Sequence, residues 1–111
     1  MTNRNAAKGS RWELQVQRYL QETLPKFTVV RPRQSGYADL GDIHADPVVI
    51  QAKDVAKHSF AEWLRDVETQ RSNAGGDFGV VVAKRRGQPV SDAYAVMTLN
   101  TLRQIIERLR S

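Results

Sequence analysis

The sequence predicts a single α/β domain in which a central mixed β-sheet is flanked by helices. The chain has 111 residues, which is the size of one domain. Segments with helical spacing of apolar residues alternate with short runs rich in β-branched residues. The resulting order is α-β-β-β-α-β-β-α, and one apolar run has the continuous character of a strand buried on both faces. We therefore expect one folding unit over residues 1–111.

The first helix is predicted from about Ser10 to Leu24. The segment Ser10-Arg11-Trp12-Glu13 has the form of a capping box, and apolar residues follow at helical spacing until Pro25. Residues 1–9 are polar and basic, and we expect them to form a flexible N-terminal arm. Residues 27–31, between two prolines, are rich in aromatic and β-branched side chains and predict the first strand.

The middle of the chain predicts a hairpin followed by a second helix. The runs Gly41 to Ala45 and Pro47 to Lys53 are strand-like and close enough in sequence to pair. A second capping box, Ser59-Phe60-Ala61-Glu62, begins a helix that stops at residues 73–76, where two glycines occur. We expect Asp46 and Asp54 to be loop charges and the aromatic residues of the two helices to lie in the core; these are Trp12, Phe60 and Trp63.

Two further strands and a final helix complete the prediction. Phe78 to Ala83 is a continuous apolar run, and Ala93 to Met97 predicts a strand after a polar loop. The last segment is amphipathic, with Leu and Ile side chains on one face and arginines elsewhere. From sequence this helix can either seal the core or form a dimer surface.

The net charge is +5, with an isoelectric point near 10.0, and it is unevenly distributed. Residues 1–33 carry a net charge of +5, residues 34–83 carry −4, and residues 84–111 carry +4. A metal-dependent enzyme that acts on a polyanion requires such an arrangement, because cations attract phosphates while carboxylates hold the metal. The alternative is an ordinary basic protein with solvated surface charges.

Several classes of site and location are excluded or disfavoured by composition. The absence of cysteine excludes disulfides and thiolate sites, and the chain has only two histidines, so a metal would be held by oxygen. There is no apolar run of about 20 residues and no stretch of signal-peptide type. We therefore expect no membrane partner and a cytoplasmic location, in a prokaryotic cell or a phage-infected host.

Three polar residues at the predicted hairpin are the candidates for metal binding and catalysis. Gln51 and Lys53 are two apart on one strand, so they project to the same face, and the hairpin brings Asp42 alongside them. A carboxylate, a second oxygen ligand and a lysine are suited to hold Mg²⁺ against a phosphate and to stabilise the charge that develops there. Asp39 is a rival to Asp42, since a longer hairpin would place it in the same role.

In order and spacing, these motifs resemble the PD-(D/E)xK nuclease superfamily, and within it the archaeal-type Holliday junction resolvases and their phage relatives. The resemblance extends from Lys8 to about Arg86. Its elements, in chain order, are Lys8-Gly9 and Glu13, Val29-Val30-Arg31, Ser35-Gly36, Gly41-Asp42-Ile43, Val49-Ile50-Gln51-Ala52-Lys53, and a helix followed by Gly79-Val80-Val81-Val82.

The resemblance implies a restriction-endonuclease-like fold and a Mg²⁺- or Mn²⁺-dependent DNA endonuclease active in recombination or repair. Glu13, Asp42, Gln51 and Lys53 match the family's active site, and the first three match its metal ligands. A resolvase of this type is a homodimer that makes two coordinated cuts in branched DNA such as a Holliday junction. Ser35 matches the loop serine that the family uses before its aspartate, and we group it with the DNA contacts.

The chain departs from the family pattern at Gln51, where the family has an acidic residue. An amide oxygen can coordinate a hard cation but brings no negative charge, so metal affinity is expected to fall unless a nearby carboxylate compensates. This leaves two alternatives open: a non-catalytic DNA-binding accessory protein for recombination or repair that retains the fold, or a general nuclease of duplex or single strands.

Individual polar residues also have simpler interpretations. Glu13 can be only the second half of its capping box, and Lys53 can be an ordinary solvent-facing residue. Gln70 is expected on a solvated helix face and is not assigned to the site. The predicted phosphate contacts share a basic side chain, and they position DNA without reading its sequence. They are Lys8, Arg11, Arg31, Arg33, Lys57, Lys84, Arg85 and Arg86.

Overall fold

One five-stranded sheet is surrounded by three helices. The computed structural model of the protein describes residues 4–33 and 38–110. The helices are α1 (Arg4–Thr23), α2 (Phe60–Ala74) and α3 (Leu99–Leu109), and the strands are β1 (Val29–Val30), β2 (Ile43–Ala45), β3 (Val48–Lys53), β4 (Phe78–Ala83) and β5 (Tyr94–Val96). The predicted single α/β domain and order of elements are confirmed, with one short 3-10 turn added at Val90–Asp92. Among the described helices, none has both the length and the apolar character needed to cross a membrane.

The sheet is mixed, and its spatial order follows the chain from β1 to β5. The first three strands are antiparallel, β3 and β4 are parallel, and β5 is antiparallel to β4. A parallel pair needs a long crossover connection, which α2 provides between β3 and β4. The predicted hairpin of β2 and β3 is confirmed, with Ile43 opposite Ile50 and a tight turn at Asp46-Pro47.

The two faces of the sheet are covered by different helices. Trp12 and Val16 of α1 pack with Ile50 and Ala52 of β3 on one face. On the other face, α2 packs against β4 through Trp63, Val67, Val81 and Ala83. Because side chains alternate along a strand, Gln51 and Lys53 point to the α2 face. The candidate catalytic residues Gln51 and Lys53 therefore lie on the α2 side of the sheet. The residues that alternate with them on β3, Ile50 and Ala52, pack with α1 on the other side.

Some local predictions were wrong, each for a definable reason. Helix α1 begins at Arg4, so Ser10 lies inside the helix and cannot cap it, and residues 4–9 continue the helix where an arm was expected. Alanines at positions 6 and 7 favour this extension. Strand β1 is shorter than predicted because only two of its residues pair with the short β2. Ser59 precedes α2 as predicted, but its side chain makes no capping hydrogen bond.

The aromatic residues of the helices differ in burial. Trp12 and Trp63 are 2% and 6% exposed, which confirms their predicted place in the core. Phe60 is 42% exposed, so its prediction as a core residue was wrong. It is the first residue of α2, and its ring contacts those of His58 and Trp63 while much of it stays open to solvent. The amphipathic pattern identified the face of the helix but not how far burial extends along it.

Two glycines occupy left-handed backbone conformations for different structural purposes. Gly75 ends α2 with φ of 72°, and its N–H donates to Ser72 O at 3.2 Å, which confirms the predicted stop of this helix. Gly41 has φ of 85° immediately before Asp42. A Cβ at Gly41 would lie 2.8 Å from Val49 Cγ1, whereas a Cβ at Gly75 would have nothing within 4 Å. Glycine at position 41 therefore allows the loop before Asp42 to adopt a left-handed turn and to pass close to Val49.

Replacing each of these glycines by alanine separates the cost of a left-handed backbone from the cost of a close packing contact. Gly75→Ala should lower the free energy of unfolding by about 1–2 kcal/mol, the cost of a left-handed conformation alone. Gly41→Ala should cost about 1–3 kcal/mol more, because the added methyl group also overpacks against Val49. Urea unfolding followed by circular dichroism measures both. Equal losses in the two variants would contradict the close packing inferred at Gly41.

Candidate active site

The side chain of Asp42 is held against β3 and against α1. The Asp42 N–H donates to Ile50 O at 2.9 Å, and Asp42 Oδ2 accepts a hydrogen bond from Ala52 N at 2.9 Å. A side-chain hydrogen bond also joins Asp42 to Glu13 of α1. Asp42 lies directly before β2, and the backbone of the neighbouring strand β3 fixes its carboxyl group through Ala52. The structure thus brings together two of the predicted catalytic residues.

The electrostatic environment of Asp42 favours its protonated form. Burial, the hydrogen bond with Glu13, and the negative charges of Glu13 and Asp39 raise the pKa of Asp42 from 3.8 to about 7. The hydrogen bond from Ala52 N acts in the opposite direction but is outweighed. A carboxyl group that keeps its proton near neutral pH beside a second carboxyl group can exchange that proton for a cation.

Gln51 supplies an oxygen atom without a hydrogen-bond donor. In the described part of the chain, Gln51 Oε1 is buried and has no hydrogen-bond partner. A buried carbonyl oxygen without a partner is unfavourable and uncommon in folded proteins. A bound cation, or a water molecule bound to one, would satisfy it. This atom lies on the residue next to Ala52, whose N–H holds the carboxylate of Asp42.

Lys53 follows two residues later on the same face of β3. Its Nζ lies 5.9 Å from the centroid of the Trp63 ring, at cation–π distance. This contact directs the amine toward the α2 side of the sheet and leaves its hydrogen-bond donors available to an anion. Gln51 and Lys53 are half-buried, and they lie on either side of Ala52 at the carboxyl end of β3.

The donor set suits a hard cation that keeps part of its water shell. Among the described residues, no three His, Cys, Asp or Glu side chains converge on one point. A cation here would therefore rely on the carboxylates of Asp42 and Glu13, on Gln51 Oε1, and on water. Mg²⁺ commonly binds in this way, with one or two carboxylates and several waters. The oxygen atoms that these residues offer are of the type that such an ion binds.

Asp39 is the residue that the sequence offered as an alternative to Asp42. In the structure its hydrogen bonds hold the loop that precedes the site. Its Oδ1 accepts from Gly41 N at 3.0 Å and its Oδ2 accepts from Gln70 Nε2 at 2.8 Å. Its backbone oxygen accepts from Asn73 Nδ2 at 3.0 Å. Because these bonds tie it to α2, Asp39 is positioned as a support for Gly41 and Asp42. Its charge nevertheless contributes to the raised pKa of Asp42.

Gln70 was predicted on a solvated helix face, and that prediction was wrong. It is 3% exposed and donates to Asp39, while its Oε1 is buried without a hydrogen-bond partner among the described residues. The sequence did contain a signal for this position. Trp63, Val67 and Gln70 are spaced by four and three residues, which places all of them on the buried face of one helix. A polar residue in that series is a candidate for a site.

The predicted basic contacts divide into paired and exposed groups. Asp54, expected as a loop charge, has a side chain only 4% exposed, and Lys8, Lys84 and Arg86 approach it at 3.7, 3.9 and 3.5 Å. Arg31 Nη2 bonds Glu13 Oε2 at 3.1 Å. Arg11, Arg33 and Lys57 are exposed, and Arg85 is half-buried. Ser35 lies outside the described residues.

Comparison of the chain with protein-family models, curated proteins and solved structures finds no match. The functional conclusion therefore depends on the site itself.

The raised pKa of Asp42 predicts a stability difference that depends on pH. Between pH 3.8 and about 7 the unfolded chain loses the Asp42 proton while the folded protein retains it, so stability falls as pH rises through this window. Asp42→Asn keeps the hydrogen-bonding pattern of the protonated acid. It should raise the free energy of unfolding at pH 8, without divalent metal, by up to about 4 kcal/mol, and should have little effect at pH 3.5.

Urea unfolding at the two pH values measures this effect. Asp66→Asn is the matched control, because Asp66 is an exposed carboxylate on α2. A similar gain at pH 8 in both variants would show that general charge, not the environment of Asp42, is responsible.

Proposed function

We propose that this protein is a metal-dependent DNA endonuclease with a restriction-endonuclease-like fold, selective for branched DNA such as four-way junctions. The observation that carries the proposal is the Glu13–Asp42 pair beside β3: burial, together with the hydrogen bond and the charge of Glu13, raises the pKa of Asp42 to about 7. A carboxyl group whose pKa is raised in the folded protein does not stabilise the fold at neutral pH. The strand that holds this pair through Ala52 also carries Lys53 and Gln51, whose Oε1 has no hydrogen-bond partner among the described residues, and such a combination is typical of a cation site with a catalytic purpose.

The metal would be Mg²⁺ or Mn²⁺, held by Asp42, Gln51 and Glu13. When bound there, it supplies positive charge to a phosphate oxygen and acidity to a water molecule. The two carboxyl groups, once ionised, provide the charge that Gln51 lacks. Arg31 contacts Glu13 from the outside at 3.1 Å, which orients its carboxylate.

The reaction is hydrolysis of a phosphodiester bond. The oxygen of water forms a bond to phosphorus and loses a proton to the solvent, while the bond from phosphorus to one deoxyribose oxygen breaks and that oxygen takes up a proton. Lys53 donates hydrogen bonds to the phosphate oxygens, where negative charge develops, and its contact with Trp63 at 5.9 Å holds the amine in place. In this assignment Ala52 acts through Asp42: its N–H donates to Oδ2 at 2.9 Å and fixes the carboxyl group.

The basic residues support a polyanionic substrate. Three cations surround the single carboxylate of Asp54, so this cluster keeps a net positive charge while its side chains are held in place. Further positive charge comes from the exposed Lys57, Arg11 and Arg33 and from the half-buried Arg85. Contacts of this type neutralise phosphates without reading bases, which agrees with selection of DNA by shape.

A symmetric junction requires two cuts, and we propose that two copies of the chain pair through α3. Four apolar residues of this helix are exposed along one stripe, at intervals of three, four and three residues: Leu99, Leu102, Ile106 and Leu109. Leu99 and Leu109 are 80% and 78% exposed. A stripe on one helix can meet the same stripe of a second copy around a two-fold axis, which is the usual symmetry of a homodimer.

The second candidate function is a DNA-binding accessory protein without cleavage. Gln51 favours it, because replacing a carboxylate ligand by an amide weakens the attraction for a cation while leaving the basic surface intact. A general nuclease that acts on any duplex or single strand is the third outcome that the cleavage experiment distinguishes.

Cleavage of labelled four-way junction, linear duplex and single-stranded DNA, each with Mg²⁺, Mn²⁺ or EDTA, tests the proposal. We expect paired cuts confined to the junction and dependent on metal. Asp42→Ala and Lys53→Ala should each lower the cleavage rate by about 100-fold or more while junction binding is retained. Lys26→Ala, at an exposed lysine between α1 and β1, is the control. Tight binding without cleavage would support the accessory protein, and cleavage of every substrate would support a general nuclease.

Gln51→Glu tests whether Gln51 is a metal ligand. Adding a third carboxylate should tighten Mg²⁺ binding by about tenfold or more, measured by calorimetry without DNA. Gln15→Glu adds the same charge at an exposed position of α1. Equal changes in the two variants would mean that the metal responds to overall charge and that Gln51 is not a ligand.

Charge introduced into the α3 stripe tests the dimer. Ile106→Glu should weaken self-association by about 100-fold, because a carboxylate would be buried in an apolar interface. Sedimentation equilibrium measures the dissociation constant, and Asn100→Glu is a control at an exposed polar position of the same helix. A wild-type chain that remains monomeric on the junction would refute pairing through α3.

A further inference from the structure

A cluster of aromatic side chains lies at the surface beyond the carboxyl end of β3. His58 stacks on Phe60 with ring centroids 5.2 Å apart and planes inclined by 20°. His58 also meets Tyr94 of β5 edge-on at 6.2 Å, and Arg85 lies 5.0 Å from the centroid of the Tyr94 ring. Phe60 and Tyr94 are 42% and 45% exposed, so much of their ring surface is open to solvent.

Two adjacent depressions share this cluster as a common wall. One, of about 740 Å³, is lined by His58, Phe60, Tyr94 and apolar residues in and just after β5, and it is bordered by Leu102, which also belongs to the α3 stripe proposed for pairing. The other, of about 320 Å³, is lined by His58 and Tyr94 together with Lys84, Arg85 and Arg86. Neither has an acidic side chain among its described lining residues. An apolar aromatic recess therefore lies directly beside a cationic one.

This pairing matches the chemistry of a nucleotide whose base is not in a helix. An unpaired base has two apolar faces that stack on aromatic rings, and its phosphate is an anion that lysine and arginine bind. A base within a duplex is already stacked and presents no free face. An apolar peptide would need the aromatic recess but not the adjacent cations, so the charge favours nucleic acid over protein.

The cluster is also connected to the candidate active site. Trp63 lies edge-on to Phe60 at 5.7 Å and to His58 at 5.8 Å, while Lys53 Nζ lies 5.9 Å from the Trp63 ring. One aromatic side chain thus separates the amine assigned to the scissile phosphate from the exposed rings. This places the surface within reach of nucleotides next to the bond that is cut.

We propose that His58, Phe60 and Tyr94 form a stacking surface for unpaired DNA bases, with Lys84, Arg85 and Arg86 as contacts for the adjoining phosphates. The identity of the polyanion as DNA rests on the proposed function. This surface gives the protein a way to recognise branch points, because strands exchange there and bases lose their stacking partners. Selection of branched DNA then comes from captured bases as well as from the shape of the backbone.

Binding of two oligonucleotides that differ only in their bases tests the proposal. Fluorescein-labelled 12-mers, one of thymidine nucleotides and one of abasic sites with the same phosphates, are titrated with protein in EDTA and followed by anisotropy. Wild type should bind the thymidine 12-mer more tightly. Phe60→Ala and Tyr94→Ala should each reduce this preference by about 5- to 150-fold, the range for loss of one stacked base. Binding of the abasic 12-mer should stay within about twofold of the wild-type value.

Three further variants make the result specific. Phe27→Ala removes another exposed aromatic ring, 60% accessible and just before β1 at the edge of the sheet opposite β5, and should leave the preference unchanged. Phe60→Leu retains apolar volume without a ring, and it should lose the preference as the alanine variant does. Arg86→Ala should weaken binding of both oligonucleotides alike and reduce the salt slope by about 0.7, as expected for one phosphate contact to a single strand.

Equal affinity of wild type for the two 12-mers would overturn the proposal. So would a loss in Phe60→Ala and Tyr94→Ala that affects both 12-mers equally, or the same loss in Phe27→Ala. The measurement involves no metal and no cleavage. A protein that shows the base-dependent preference but never cuts a junction would therefore refute the nuclease while leaving this surface established.

Discussion

The position of β3 is the constraint on which the rest of the structure depends. This strand pairs with β2 on one edge and with β4 on the other, and helices cover both of its faces. Alternation of side chains then sends Ile50 and Ala52 into the α1 core and leaves Gln51 and Lys53 on the α2 face. Polar groups in such a strand are rigidly placed, because moving them would disturb two ladders and two cores.

The same position explains why the carboxyl group of Asp42 is held so firmly. Beyond Ile43 the strands β2 and β3 no longer pair, and the N–H of Ala52 would be left without a ladder partner. Asp42 Oδ2 accepts this hydrogen bond at 2.9 Å, so the carboxyl group completes the sheet where β2 ends. Its fixed position buries it close to Glu13, and burial, the hydrogen bond with Glu13 and the nearby negative charges raise its pKa to about 7. The ionised form of this buried carboxyl group therefore lowers the stability of the protein at neutral pH.

The sequence predicted the architecture well, because the architecture follows from periodicity. The hairpin, the buried β4 and the three helices were all evident from spacing and turn residues. The site was predicted less completely. Asp42, Gln51 and Lys53 follow from strand alternation, but the burial of Asp54 and Gln70 depends on which elements pack over them, and local patterns do not encode that. Phe60 shows the same limit: its face of the helix was predicted correctly, but its 42% exposure depends on which elements pack over the first turn of α2.

Gln51 gives the site its particular electrostatic balance. A carboxylate at this position would add a negative charge near Asp42, which burial and the neighbouring Glu13 already keep protonated near neutral pH. In the proposed site the amide avoids that added repulsion and still offers an oxygen atom, at the expense of affinity for the cation. The proposed enzyme would then bind its metal most favourably when DNA is present, since a phosphate supplies the charge that Gln51 lacks. Substrate and cation would thus be bound cooperatively, and the site would hold little metal between substrates.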